Sequence, residues 1–532
     1  MKREVVIIRT PKGSLLTKDP NPSEYYYTDY YEDLGVSYLA SCLKVSRVDV
    51  NVVDTEFERI SEIEIAHRAL EYDCRIYAIS VHAYDFVKVA LRIIVEIKRE
   101  NKDSIVILGG HPIADMADQI MGLFGMVDFI CRGEGEENFV ELVNALLDER
   151  DYSKILGINY RKGGKIYRNQ DSPRLRELDK IPYPYRYIFE DNKILSPYYA
   201  MVYGSRGCYG NCTMCSVCAF YKKENRWIPR SAENVVDEIE EIYVNYGVKI
   251  FSLIDSDFIG PGREGYNRAK NIAELIIERN LDIKFDIACR VNSIDKELFS
   301  ILKHAGLYNV FLGVESGQNK VLQQLRKGVT VQDNLKAVNI LNELDIDMEV
   351  GFIMIFPDTT LSDIEENLQF IKKLNVFQPY RLGSRLYTNP GFEITGELEK
   401  KEIVKGNILE KHYKISDMQV LQYYNLWNEL YQIVLPLINK MLVFQLHVLW
   451  KKEYMKLVKN MEKDILKKMI ELLEVGIEYI KKSTLEQYQV DRLKENIKRY
   501  IEEKDGYLHR TIESMENGLP QYEWLGREVK IY

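Results

Sequence analysis

The sequence predicts an α/β protein with an all-helical C-terminal region, and three observations lead there. Residues 1–150 alternate short apolar runs with segments of helical period. Residues 197–395 do the same again, in six strand–helix steps. From residue 396 onward the strand-like runs give way to long segments rich in Leu, Ile, Met, Lys and Glu. Strict alternation of strand and helix is the pattern of parallel sheets. The first stretch therefore reads as a doubly wound sheet and the second as an open, partial barrel. A hairpin and a proline-rich linker, residues 151–196, join them.

In the first stretch, Val5–Thr10, Val48–Asp54, Arg75–Val81, Ile105–Gly109 and Val127–Cys131 have the apolar density of buried parallel strands. Gly35–Lys44, Ile60–Leu70, Phe86–Arg99, Ile113–Leu123 and Glu136–Leu147 carry helical periodicity between and after them. The expected architecture is flavodoxin-like, with ligands beyond the carboxyl ends of the strands. Ile155–Tyr160 and Lys165–Arg168 flank Gly163-Gly164 and form a hairpin. Asp179-Lys-Ile-Pro-Tyr-Pro-Tyr-Arg186 is stiffened by its prolines and runs extended.

In the second stretch the strands are Tyr199–Gly204, Lys249–Asp255, Lys284–Cys289, Asn309–Val314, Asp347–Ile353 and Arg381–Tyr387. Ala232–Val244, Glu264–Arg279, Asp295–Ala305, Asn334–Leu344 and Asp363–Leu374 are the helices between them. This is a partial (β/α)6 barrel of TIM type, whose site lies at the strand C-terminal ends. Helices follow over 418–450, 452–482 and 484–503. In the second of them Val458, Met461, Ile465, Leu466, Met469 and Leu473 fall on one face.

A chain of 532 residues needs several cores, and a 46% hydrophobic, 29% charged composition is that of a globular protein. The net charge of −9 comes without a dense Lys/Arg stripe, which argues against nucleic acid as a partner. The Met1–Ile8 run is interrupted too early for a signal peptide. Pro436, Asn439, Lys440 and His447 break the apolar segment Ile433–Trp450, so no transmembrane segment is expected. Four of the eight cysteines crowd between Cys208 and Cys218. Clustered thiols point to a metal site in a reducing cytoplasm rather than to a disulfide scaffold.

Cys208, Cys212 and Cys215 stand in Gly204-Ser-Arg-Gly-Cys-Tyr-Gly-Asn-Cys-Thr-Met-Cys, a CxxxCxxC loop that follows the first barrel strand. Three thiolates hold three irons of a four-iron, four-sulfur cluster and leave the fourth open to a small ligand. Zinc would need a second ligand pair, and the chain offers none. Cys212, Cys215 and Cys218 also read as CxxCxxC, but a ferredoxin loop needs a remote fourth cysteine and a following proline, and here Ala219 follows. Cys218 is then an accessory thiol.

This loop on a six-step barrel resembles the radical SAM superfamily. The resemblance implies that S-adenosylmethionine chelates the open iron and is split by the reduced cluster to a 5′-deoxyadenosyl radical. It also implies an external electron donor such as flavodoxin or ferredoxin. Met214 stands where the family usually has an aromatic residue; a thioether can still pack against an adenine. Leu253-Ile-Asp-Ser-Asp257, Ala288-Cys-Arg290 and Gly313-Val-Glu-Ser-Gly317 match the family's contacts to the cosubstrate. Asp257, Arg290 and Glu315 suit an ammonium, a carboxylate and ribose hydroxyls in turn. Phe352-Ile-Met-Ile-Phe-Pro357 replaces the glycine-rich turn of many relatives.

Leu108-Gly-Gly-His-Pro112 and Asp128-Phe-Ile-Cys-Arg-Gly-Glu-Gly-Glu136 put glycines at strand ends, where a backbone can approach a large flat ligand. With Glu32–Ala40, Asp54 and the Ile-Pro-Tyr-Pro-Tyr-Arg linker, they resemble the cobalamin-dependent radical SAM enzymes. The implied cobalamin contacts are Asp54, Ser80, Gly109, Gly110, His111, Gly133 and Glu134. No DxHxxG string occurs, so no histidine is expected on cobalt, and His82 and His111 read as structural. Tyr25, Tyr26, Tyr27, Tyr30 and Tyr31 follow the first strand, suited either to a corrin edge or to packing that loop. The expected activity is methylation of an unactivated carbon through methylcobalamin and the deoxyadenosyl radical; the alternative is rearrangement, cyclisation or oxidation without methyl transfer. A small molecule, a peptide or a lipid could be the substrate.

Overall fold

The structure is a computed structural model that describes residues 4–11, 32–56, 60–190, 199–221, 227–374, 376, 378–448, 452–513, 523–524 and 527–528. The tyrosines of the first loop lie outside the described residues.

The N-terminal elements are β1 (Glu4–Arg9), α1 (Leu34–Val45), β2 (Asp49–Val53), α2 (Glu62–Leu70), β3 (Ile76–Ser80), α3 (Val87–Glu100), β4 (Ile105–Gly109), α4 (His111–Leu123), β5 (Phe129–Cys131) and α5 (Gly135–Leu147). Val5, Val6, Ile7 and Ile8 of β1 are all buried, as a parallel strand covered on both faces requires. One face packs on α2, α3 and α4 through Ile65, Ile93, Ile97 and Ile120; the other packs on α1 and α5 through Val36, Leu43, Leu142 and Val143. Local signals set the helix starts: Asp33 caps α1 by accepting from the Val36 N–H, and Ser61 and Glu64 form a capping box on α2. The hairpin β6 (Ile158–Lys162) and β7 (Lys165–Arg168) turns through Gly163 and Gly164, both at positive φ, as a two-residue hairpin turn demands. It adds antiparallel strands beyond β5, and the seven-stranded order is β2-β1-β3-β4-β5-β6-β7. The order reverses direction between β1 and β3, which marks the ligand crevice of such sheets.

The linker ends in α6 (Tyr187–Glu190). Arg186, just before it, is buried and bridges Glu32 and Glu238, each at 2.5 Å, while donating to the Met201 carbonyl. This stapling explains why the linker closes on an arginine. There follow β8 (Tyr199–Val202), β9 (Ser205–Arg206), α7 (Ser216–Tyr221), β10 (Ile228–Pro229), α8 (Ala232–Tyr246), β11 (Ile250–Leu253), α9 (Gly262–Glu278), β12 (Lys284–Arg290), α10 (Lys296–Ala305), β13 (Leu307–Glu315), α11 (Asn319–Gln324), α12 (Val331–Glu343), β14 (Asp347–Phe352) and α13 (Leu361–Leu374). The second sheet has the order β14-β13-β12-β11-β8.

The sixth barrel step departs from expectation. Pro379–Gly383 is a 3-10 turn, and a single parallel bridge, Ile355 to Arg385, replaces the strand expected over Arg381–Tyr387. Trp427 explains it: its Nε1 donates to the Pro379 carbonyl at 3.0 Å, and a Cβ on Gly383 would meet its ring at 2.0 Å. The indole therefore occupies the space beside the turn and holds it curled.

The chain divides into two compact units, one of Tyr30–Phe285 and Thr388–His412 with the N-terminal strand, the other of Asp286–Tyr387 and Tyr413–Tyr532. The first also carries α14 (Glu393–Lys400) and the hairpin β15 (Lys405–Asn407) and β16 (Glu410–His412). The second ends in α15 (Met418–Val448), α16 (Lys452–Lys481) and α17 (Gln487–Glu513). All six apolar residues read as one face of α16 are buried. No helix among the described residues is long and apolar enough to cross a membrane.

Candidate active site

The cysteine loop leaves β8 through Gly204, whose N–H donates to Asp255 Oδ2 at 3.0 Å and whose carbonyl accepts from Arg268 and from the Arg230 N–H. A Cβ at Gly204 would come within 2.7 Å of the Arg268 guanidinium, so a larger residue there would have to displace that side chain. Burial raises the Asp255 carboxyl against the pull of Arg268, and burial lowers Arg268 to about 10. Gly207 then turns at φ +82 and delivers Cys208 into the core.

Cys208 and Cys212 are buried; Cys215 and Cys218 are half-buried. The Gly210 N–H donates to Cys208 Sγ at 3.3 Å, and the Cys208 thiol lies 3.9 Å from Asp257 Oδ2. Trp227 Nε1 holds the Asp257 carbonyl at 2.9 Å, which fixes that strand end beside the loop. Cys218 donates to the Gly210 carbonyl at 3.4 Å. Its thiol is pushed far up, first by a hydrogen bond with Cys215, then by burial and the charges of Cys215, Cys212 and Cys208. Three sulfurs thus share one loop, and the fourth, Cys218, lies in α7, which follows it. Among the described residues no three His, Cys, Asp or Glu side chains close on a single metal ion. A cubane instead takes one thiolate on each of three separate irons, and soft thiolate donors suit it.

The same loop is tied to the N-terminal sheet. Arg206 pairs with Glu134 at 3.2 Å and Glu136 at 2.5 Å, both at the exit of β5. Glu134 also accepts from the Leu175 N–H at 2.8 Å, so its carboxylate serves as a bracket. His111 stacks on Phe220 of α7 with ring centroids 3.8 Å apart. Burial, then the Arg206 charge, lowers His111 to about 4, so the ring is neutral near pH 7. His111 is nevertheless accessible. Gly110 has φ +116, and a Cβ there would strike the Val81 carbonyl at 1.9 Å. At Gly109 a Cβ would find only ordinary contact, at 3.8 Å, so that glycine leaves room at the strand end. Gly133 turns at φ +83. Ser80 ends β3, where its carbonyl accepts from the Thr10 hydroxyl at 2.8 Å. Asp54 is held by Arg9 at 3.0 Å and the Tyr187 hydroxyl at 2.8 Å. A strand-end cradle with a Cβ-sized space at Gly109, beside a soft-donor loop, fits a flat cofactor next to a cluster.

In the second unit, Glu315 ends β13 at φ +65, where the register with β14 shifts between Gly313 and Glu315. A non-glycine residue in that region stores strain, and such residues concentrate at functional sites. Its Oε1 lies 2.8 Å from the buried Lys327 Nζ, and the carboxylate sits over Gly313 and Gly351. Arg290 is buried at the end of β12 and donates to the Lys327 carbonyl. The sequence reading missed Lys327, Arg206 and Phe220. Only Glu134 and Glu136, an acidic pair in need of a cation, could have pointed to Arg206.

Residues 202–371 match the radical SAM superfamily and residues 27–143 match the B12 binding domain. An uncharacterized methyltransferase of Pyrococcus horikoshii is 30% identical over 351 residues, covering 64% of this chain and 73% of that protein. The chain belongs to the cobalamin-binding radical SAM family. It is a cobalamin-dependent radical SAM enzyme, with a four-iron, four-sulfur cluster, S-adenosylmethionine and cobalamin as its cofactors. An anaerobic magnesium-protoporphyrin IX monomethyl ester cyclase of Cereibacter sphaeroides is also 30% identical over 350 residues; this radical SAM chain covers 55% of its length. The fold is that of the cobalamin-dependent S-adenosylmethionine radical enzyme OxsB, with a TM-score of 0.69 at 20% identity over 97% of this chain and 80% of that one. The radical S-adenosylmethionine methyltransferase TsrM from Kitasatospora setae has a TM-score of 0.57 at 19% identity over 72% of this chain and 75% of its own.

Proposed function

We propose that this enzyme moves a methyl group from S-adenosylmethionine to an unactivated carbon of its substrate. The carrying observation is the bracket of Arg206 on Glu134 and Glu136, which ties the cysteine loop to the exit of the cobalamin-binding sheet within one compact unit. When bound, the cluster supplies an electron that splits the sulfonium and the cobalamin supplies a methyl carrier. The chain's part is to hold these groups and keep water away. Cys208, Cys212 and Cys215 take the role of iron ligands. Met214 and Asp257 meet S-adenosylmethionine from the loop and the β11 exit; Arg290 and Glu315 are proposed contacts at the ends of β12 and β13. Asp54, Ser80, Gly109, Gly110, Gly133 and Glu134 shape the cobalamin cradle, and the neutral His111 packs there without being a cobalt ligand. An external protein supplies the electron in the cytoplasm.

The Pyrococcus methyltransferase supports methyl transfer, as does a hopanoid C-3 methylase of Methylococcus capsulatus, 24% identical over 342 residues. The cyclase supports the second reading, a radical outcome without methyl transfer. Methyl-labelled S-adenosylmethionine separates them. Label recovered in the product supports methylation; 5′-deoxyadenosine with an unlabelled, rearranged or oxidised product supports the second reading.

A further inference from the structure

We propose that Arg385 receives an anionic group of the substrate, a phosphate ester or a carboxylate; this rests on the radical SAM reading of the barrel. The position comes from strand register. β13 and β14 are paired as far as Glu315 and Phe352, and the next link is the bridge from Ile355 to Arg385. Arg385 therefore stands beyond the carboxyl ends of these strands, where barrels of this type bind their substrates.

The arginine is half-buried and held in place. Its Nη2 donates to the Tyr413 carbonyl at 2.7 Å. The guanidinium lies 4.6 Å from the Tyr413 ring centroid and 5.7 Å from that of Tyr424. The Tyr413 hydroxyl is itself anchored, donating to the Ile355 carbonyl at 2.9 Å and accepting from the Leu386 N–H at 3.2 Å. Two aromatic faces and one carbonyl thus fix the fork before any ligand arrives.

No carboxylate answers the charge. Arg385 Nε is buried and makes no hydrogen bond, and among the described residues no Asp or Glu pairs with this side chain. Lys327, the neighbouring cation at these strand ends, is by contrast taken by Glu315. A buried N–H without an acceptor is costly and calls for a partner. A planar fork with free donors binds an oxyanion through two parallel hydrogen bonds, which an ammonium cannot reproduce.

The test uses reconstituted holoenzyme saturated with S-adenosylmethionine, so that the groups meeting its carboxylate are already occupied. The melting midpoint is followed against inorganic phosphate and, separately, acetate. A saturable rise is expected in the wild type. Arg385→Lys should need about tenfold more anion, and Arg385→Met should lose the response while keeping its iron content. Phosphate alone acting indicates a phosphate ester, and acetate alone a carboxylate. Arg385→Met responding like the wild type would mean an adventitious ion only and overturn the proposal, as would no saturable response in the wild type. If Arg385→Met does not fold, an unchanged response in Arg385→Lys overturns it equally. An Arg385-dependent response without label in product would preserve this subsite and reject methylation.

Discussion

At the scale of single residues, the CxxxCxxC spacing carries the proposed chemistry, since Cys215 and Cys218 are equally half-buried and burial does not separate them. Replacing Cys208, Cys212 or Cys215 by Ala should remove most of the iron and the visible cluster absorption of the reconstituted protein, because the cubane loses one of its three protein thiolates. Cys218→Ala should keep both. Equal iron loss in all four variants would make Cys218 a ligand. Asp363 gives a pH signature. Burial pushes its carboxyl up, but hydrogen bonds from Lys320, the Thr360 N–H and Gln318 overcome that and hold it at about 2. A depressed carboxylate stabilises the fold fully above its unfolded value and loses that contribution as pH falls from about 4 through about 2. Asp363 also closes a reciprocal cap with Thr360 at the start of α13. Asp363→Ala should therefore cost about 1 kcal/mol near neutrality, and the gap from wild type should shrink below about pH 4. A gap constant down to pH 2 would refute the assignment, read by urea titration at each pH.

At the scale of elements, the parallel strands were legible because a strand covered on both faces must be apolar along its length. Val5–Ile8 is such a run, and so is Ile105–Leu108. The sixth step was not legible. Its apolar residues suit a strand, and what curls it is Trp427, far off in the chain. The proline-rich linker was read as a spacer because nothing local reveals that Arg186 finds Glu32 and Glu238. Those ion pairs are buried, so removing the cation leaves carboxylates without compensation. Arg186→Met should destabilise by about 3–5 kcal/mol, and adding Glu32→Gln should recover part of it in a thermal melt. A double variant no better than the single one would deny the coupling.

At the scale of the whole molecule, the cofactors were legible and the substrate was not. Cluster ligands and strand-end glycines answer to chemistry that does not vary with the substrate, so their spacing is fixed in short motifs. Contacts such as Glu315 with Lys327, or Arg385 with Tyr413, join residues from different elements and leave no local pattern. The helices after Tyr413 show a clear apolar period but no chemistry-bearing motif. The claim on which the rest depends is that one iron is left for S-adenosylmethionine. Electron paramagnetic resonance of the reduced cluster, with S-adenosylmethionine carrying nitrogen-15 in its amino group, tests it most directly. A nitrogen-15 coupling that appears on addition is the result predicted by an open iron. A spectrum unchanged by the cosubstrate, from a cluster ligated by protein at every iron, would contradict it.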